Sequence, residues 1–463
     1  MMNDMKTKQN HLSNIVKYST LAGVLVGIIL AIIFLVYSNK LANPEQIILS
    51  AEEKLAFEQT IANLYPTQNI QPLPYPVTPA QLELYCDSAI LIDASNGCIL
   101  YEKNADEIIP PASMTKLVVM YVVFQEIETG RISLQDIVPL PPESWAINAP
   151  PMSSLMFLGE GQNVTLEELL LGLAVASGND AAIAVAHYVS GSVENFVERM
   201  NQEMQNLGLK NTRFVEPSGY SELNLTTARE FAAFTKVYIE RYPEALDKFH
   251  SQKSISYPQQ HNLAPWHKEN NTEQPIFQPS TNKLLGVLEG CDGLKTGFIF
   301  ESGYNLSLTA KRNGSRYISI TMKGPGSGSV EGNRYRVADA TTLMEWAFTC
   351  FATRPRDTFE PFTLPVLGGT KNAVAVLPAK NQSLTVPAIV PQQTPNQTAK
   401  DVTYTVTLPT FVQGEIACGD VIGKITYELA GTTLAEIPLV AVNNVAQSNW
   451  FKKAIDKVAS VFW

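Results

Sequence analysis

The stretch Pro110–Phe124, PPASMTKLVVMYVVF, sets Ser113 and Lys116 three residues apart at the front of an apolar run that reads as a buried helix. Side chains three apart on a helix share one face, so the lysine amine can reach the serine hydroxyl. A serine is a poor nucleophile until something takes its proton, and a lysine whose ammonium is destabilised by burial or by another cation can be that base. The helix start also leaves the Ser113 backbone N–H free to stabilise an oxyanion. Taken alone, a serine followed three residues later by lysine is a weak signal. Ser280 and Lys283 repeat the spacing in a polar loop with no apolar run behind it.

Two further stretches give the pair a context. VASGNDAA places Ser177 and Asn179 at the junction of two apolar helices, where a hydroxyl and an amide can face a cleft; helix capping by Asn179 is the alternative role. DGLKTGF places Lys295, Thr296 and Gly297 on a strand, followed by Phe298. A lysine on a buried strand needs a reason, and an anionic substrate group held by ammonium and hydroxyl together is one. Gly297, lacking a side chain, lets another backbone lie close against the strand, as in strand addition of a peptide.

Working outward, SAILIDASNGCILYEK (88–103) reads as a hairpin around Asp93–Gly97, and YNLSLTAKRNGSRYISITM (304–322) as another turning at Asn313 and Gly314. Between them lie helices with legible starts: Thr165 with Glu168, Thr227 with Glu230, and Ser192 as a cap with Gly208 as the stop. A helix-like segment, NRYRVADATTLMEWAFTCF (333–351), closes this region. The order predicts an α/β (α+β) domain over residues 81–355, with the two hairpins sharing one antiparallel sheet and the helices packed on it. Residues 356–443 are Val-, Thr- and Pro-rich with strand-length runs, which predicts a small all-β domain.

Both ends point to a membrane. YSTLAGVLVGIILAIIFLVYSN (18–39) carries no charge and is long enough for ~30 Å of hydrocarbon. Lys6, Lys8 and Lys17 precede it, so residues 1–40 read as a cytoplasmic tail and a transmembrane signal-anchor, with everything later outside. Cleavage after Ser38 is the alternative to retention. Residues 41–80 read as a Pro- and Gln-rich tether. In residues 444–463, Trp450, Phe451, Ala454, Ile455, Val458, Val461 and Phe462 share one helical face and Lys452, Lys453, Asp456 and Lys457 the other. Such a helix lies in the headgroup layer with its aromatic side down; docking on the protein itself is the alternative.

Composition excludes other classes. A net charge of −10 and a pI near 5.2 leave no basic stripe for nucleic acid. The five cysteines form no CxxC pair and read as small apolar core residues. The histidines show no ligand spacing, so neither a metal nor another cofactor is expected.

Ser113-x-x-Lys116, Ser177-Gly-Asn179 and Lys295-Thr-Gly297, in that order, resemble the three signatures of penicillin-binding proteins and serine β-lactamases. The chain is similar in particular to the D-alanyl-D-alanine carboxypeptidases among the low-molecular-mass penicillin-binding proteins, over LIDASNGCILYEKNADEIIPPASMTKLV and most of the extracytoplasmic chain. The resemblance implies a penicillin-binding, β-lactamase-like transpeptidase domain at the outer face of the bacterial cytoplasmic (inner) membrane, in the periplasm. Its substrate would be a peptidoglycan stem peptide ending in D-Ala-D-Ala, and β-lactams its inhibitors. Ser113 would be the nucleophile, Lys116 its base, Ser177 with Lys295 the proton relay to the leaving group, and Asn179 the residue that holds the peptide amide and orients Lys116. Thr296 would bind the terminal carboxylate, with the Ser113 and Phe298 N–H groups as oxyanion hole. Phe298 departs from the histidine frequent there. A serine β-lactamase is the rival enzyme, although no ExxLN stretch is present and Glu216 has the wrong neighbours; a catalytically silent cell-wall scaffold is the rival non-enzyme.

Overall fold

The computed structural model describes residues 2–65, 70–77, 80–270, 274–380, 382–387 and 401–463, with backbone only for 2–16 and 269–270. The chain divides into two compact units: residues 68–355 with 382–401, and residues 1–67 with 356–381 and 402–463.

The first unit is built on a six-stranded sheet. Its strands are β1 (Gln71–Pro72), β2 (Ser88–Asp93), β3 (Cys98–Lys103), β6 (Cys291–Ile299), β7 (Gly303–Arg312) and β8 (Ser315–Gly324), in the order β1-β3-β2-β8-β7-β6. Both expected hairpins form, and they join where β2 pairs antiparallel with β8, from Ser88↔Met322 to Asp93↔Tyr317. Asn313 and Gly314 both take positive φ, 49° and 85°, as a two-residue turn between twisted strands requires.

β2 is buried along its whole length because both faces of the sheet are covered. Ile90, Ile92, Ile318 and Ile320 face a core shared with α3 (Lys116–Glu128) and α7 (Ala228–Arg241). Ala89, Leu91, Leu306 and Leu308 face Ala340, Leu343 and Met344 of α9 (Ser329–Cys350). Smaller helices α4 (Leu166–Leu171), α5 (Asn179–Ser190), α6 (Val193–Asn206) and α8 (Pro265–Asn270) complete the helical side. Two short ribbons, β4 (Ser254–Tyr257) with β5 (Ile276–Pro279) and β9 (Phe351–Arg354) with β12 (Leu384–Pro387), lie outside the main sheet. The Thr165–Glu168 box closes reciprocally. At Thr227 only half of the expected box forms, because the Glu230 carboxylate accepts instead from Asn211 N and Thr212 Oγ1.

The second unit has its own six-stranded sheet: β10 (Phe362–Leu367), β11 (Ala373–Pro378), β13 (Thr403–Thr407), β14 (Val412–Gln413), β15 (Val421–Leu429) and β16 (Thr432–Ala441), ordered β13-β15-β16-β11-β10-β14. Three helices belong to it: α1 (Met2–Ala42), α2 (Ala51–Leu64) and α10 (Trp450–Ala459). Two expectations are corrected here. Residues 41–80 are not all tether, since Ser50 and Glu53 form a capping box that starts α2, and Phe57 and Ile61, one turn apart, bury against Ala375, Val440 and Val442. Nor is 356–443 one continuous domain, because β12 returns to pair with β9 of the first unit. The cysteines are unpaired, with Cys86 and Cys98 buried as core residues.

Candidate active site

Ser113 lies in a single 3₁₀ turn, Ala112–Thr115, that runs directly into α3 at Lys116. In that geometry residues i and i+3 eclipse, which stacks the lysine under the serine more closely than an α-turn would. Lys116 is fully buried, and its Nζ lies 3.1 Å from Ser113 Oγ. Two other groups accept from the same nitrogen: Asn179 Oδ1 at 2.8 Å and the Ser218 carbonyl. Burial pulls the Lys116 pKa down to about 7, against the opposing pull of the Glu216 and Asp180 carboxylates. A neutral amine has two hydrogens and one lone pair. With both hydrogens taken by Asn179 and Ser218, the lone pair is left facing the Ser113 hydroxyl.

Ser177 reaches the site by a break in helix geometry. α4 continues into a π-turn, Gly172–Ala176, and Ser177 ends it in the left-handed region at φ 62°, ψ 32°, before α5 begins at Asn179. Ala112, one residue before Ser113, is also left-handed at φ 51°. Each such residue costs on the order of 1–3 kcal/mol, strain that the surrounding packing has to hold in place. Lys295, on β6, is buried and donates to Ser177 Oγ at 2.9 Å and to the Thr296 carbonyl at 3.0 Å. Burial, and then the charges of Lys116 and Arg336, hold its pKa well below the usual lysine range.

These groups meet along a groove of about 820 Å³ lined by Ser113, Ser177, Thr296, Gly297 and Phe298, among others. Gly297 does admit a close backbone, but that backbone belongs to this chain. A Cβ there would sit 2.5 Å from the Pro111 carbonyl oxygen and 3.3 Å from Ser113 N, so the glycine lets β6 press against the turn that carries Ser113 rather than against a peptide. Phe298 contributes its ring as well as its backbone, packing on Tyr304 at 4.4 Å and Phe300 at 5.4 Å along the groove.

A family model described as D-alanyl-D-alanine carboxypeptidase matches residues 75–326, and one described as the penicillin-binding protein 5 C-terminal domain matches 359–447. The D-alanyl-D-alanine carboxypeptidase DacC of Escherichia coli K12 is 33% identical over 81% of this chain and 87% of its own length. The DacA enzyme of Haemophilus influenzae is 31% identical over 88% of this chain and 97% of its own. Among solved structures, penicillin binding protein 5 from Haemophilus influenzae superposes with a TM-score of 0.66 at 32% identity, covering 80% of this chain and all of that one. The chain belongs to the D-alanyl-D-alanine carboxypeptidase family.

Three residues of this carboxypeptidase-family site escape a reading of the three motifs. Arg336 of α9 is buried, lines the groove, donates to the Gly297 carbonyl at 3.4 Å and to Asn333 Oδ1, and lies over the Tyr304 ring. Burial lowers its pKa to about 10. The signal for it is periodicity: Arg336 shares a helical face with Ala340, Leu343 and Ala347, and an arginine in an apolar stripe needs a reason. Lys283, which with Ser280 repeats the serine–lysine spacing, donates its ammonium to the Ser280 carbonyl at 2.9 Å and lines the groove. Glu216 is spent on a turn, its carboxylate accepting from Ser218 N and Gly219 N, each at 2.7 Å, and from Asn224 Nδ2 at 2.9 Å. That turn is what delivers the Ser218 carbonyl to Lys116. Among the described residues, those lining the groove include Lys283 and Arg336 and no aspartate or glutamate, an arrangement that suits an anionic ligand.

Proposed function

We propose that this protein is a serine-type D-Ala-D-Ala carboxypeptidase that shortens peptidoglycan stem pentapeptides by one D-alanine through an acyl-enzyme, and that β-lactams acylate the same serine. The observation that carries the reading is the buried Lys116 amine, 3.1 Å from Ser113 Oγ and held by Asn179 Oδ1 and the Ser218 carbonyl. Lys116 takes the hydroxyl proton as Ser113 Oγ attacks the carbonyl carbon of the penultimate D-alanine. The oxyanion sits against the N–H groups of Ser113 and Phe298, on the two segments that Gly297 brings together. When the C–N bond breaks, Ser177 hands a proton to the departing amine. The proton that Lys116 took from Ser113 refills Ser177, and Lys295, 2.9 Å from Ser177 Oγ, steadies the hydroxyl oxygen between the two transfers. Water then hydrolyses the ester. The Thr296 hydroxyl and the Arg336 guanidinium bind the terminal carboxylate, whose arrival raises the proton affinity of Lys295.

A class A β-lactamase uses a glutamate free to activate water on the acyl-enzyme, and Glu216 is fully engaged in its turn. We place the catalytic unit outside the bacterial cytoplasmic membrane, held by the 26-residue apolar helix Lys17–Ala42. Mass spectrometry of a stem pentapeptide incubated with the enzyme should show loss of a single D-alanine. Ser113→Ala should abolish both this release and covalent labelling by a fluorescent penicillin. Labelling without release would leave a penicillin-binding scaffold, and labelling cleared within seconds would favour the lactamase.

A further inference from the structure

We infer that α1 remains part of the mature enzyme and that α10 clasps its outer end, so that the two present one continuous surface to the bilayer. The diagnostic feature is which face of α10 meets the protein. An amphipathic helix docked to complete a core buries its apolar side. Here Trp450, Phe451, Val458, Val461 and Phe462 are 77%, 59%, 54%, 78% and 61% exposed, whereas Asp456 and Ala459, from the other side of the helix, are fully buried.

What buries them is the last two turns of α1 together with β10. Asp456 accepts from the Tyr37 hydroxyl, from Gly368 N at 2.8 Å and from Lys452 Nζ at 2.7 Å. Ser38 Oγ donates to the Ala459 carbonyl at 2.9 Å, and Leu41, 1% exposed, packs with Leu367 and Ala459. A chain cut after Ser38 would lose Tyr37 and Ser38, leaving the buried Asp456 carboxylate short of a donor, and one cut after Ala42 would lose Leu41 as well, leaving an apolar hole beside it. Either loss costs stability. The segment is therefore built into the fold.

The occupant of the exposed face is lipid, argued from position. The apolar helix Lys17–Ala42 has 26 residues, or ~39 Å at 1.5 Å per residue, somewhat more than the ~30 Å hydrocarbon layer. Its contacts with α10 and with the 3₁₀ turn Ser460–Phe462 that continues it fall between Phe34 and Leu41, where such a span leaves the hydrocarbon, and the Phe34 ring meets Phe462 of that turn edge to face at 5.8 Å. The polar face of α10 is thus used to hold α1, and its aromatic face is left at interfacial depth.

The inference rests on the membrane reading of α1, and the test separates the two. Intact mass of the full chain extracted from carbonate-washed membranes should include residues 1–42; a mature N-terminus beyond Ala42 overturns the inference. A chain absent from the membranes sinks the membrane reading itself. In native membranes, mild oxidation of a Phe34→Cys/Phe462→Cys variant should give a disulfide within one chain. Asp456→Ala and Tyr37→Phe should each reduce its yield severalfold while penicillin labelling of Ser113 persists. A link only between two chains would mean a second copy covers this face, and an unchanged yield in both variants would remove Asp456 as the clasp. Brominated-lipid vesicles should quench fluorescence of the reconstituted chain, and Trp450→Phe should remove part of that quenching; unquenched Trp450 would overturn the lipid assignment.

Discussion

Asn179→Asp tests the central electrostatic claim, because it places a negative charge where the carboxamide oxygen now lies 2.8 Å from Lys116 Nζ. At that separation and an effective dielectric of ~20, the attraction for the ammonium form is ~6 kcal/mol. Burying the new carboxylate takes back about half, leaving ~3 kcal/mol or ~2 pKa units. Lys116, with its pKa lowered to about 7, is neutral above that pH, so under the proposed mechanism acylation should rise as pH climbs through about 7 and be lost below it. In the variant the same rise moves to about pH 9, so that at about pH 7 only ~1% of the amine is neutral instead of ~50%, and acylation slows ~50-fold. By about pH 10 the variant should recover to within ~2-fold of wild type. Second-order acylation rates with a fluorescent penicillin, measured across this range for both proteins, give the two midpoints directly. A lowered plateau with an unmoved midpoint would refute the argument, since the titrating group would then not be the lysine that Asn179 touches.

Arg336→Ala should lower kcat/KM for a peptide ending in free D-Ala-D-Ala by ~10- to 100-fold, the worth of a charge-assisted hydrogen bond, while barely affecting the C-terminal amide. Equal losses on acid and amide would remove Arg336 from carboxylate binding. Gly297→Ala puts a Cβ 2.5 Å from the Pro111 carbonyl oxygen, so β6 must withdraw from the nucleophile's turn. Acylation should fall ~100-fold with the melting temperature little changed, as expected of misplacement by a fraction of an ångström. Asp180→Asn replaces one of two carboxylate oxygens that together accept from the Met156, Phe157, Leu158 and Ala181 N–H groups. Calorimetry should show a loss of ~2–3 kcal/mol, and an unchanged unfolding temperature would mean that this network does not hold the loop that places Ser154 in the groove.

Several features were readable in one dimension because they depend on local period and residue type. The two hairpins, their turn at Asn313–Gly314, the caps at Thr165 and Ser192 and the order of the three motifs all follow from neighbours within a few residues. α2 was missed because only Phe57 and Ile61 mark its buried face, too few for the period to stand out in a polar stretch. The split of the β-rich region was illegible because β12 finds its partner in a strand about 30 residues earlier, β9, and pairing partners are not written in either strand alone.

The amino-acid sequence by itself determined which groups could do the chemistry, three hydroxyls, two amines, an amide and a glycine, and that each sits beside a chain break or on a buried element. Tertiary packing decided what those groups are. Lys116 acquires a lowered pKa because folding strips its water, and the same closure brings Asn179, 63 residues away, and Ser218, 102 residues away, onto its nitrogen. Arg336 and Lys283 become groove cations, Glu216 the brace of a turn and Asp456 a buried joint for the same reason. Desolvation and contact across long stretches of chain exist only after the chain has closed on itself, so no local pattern can carry them.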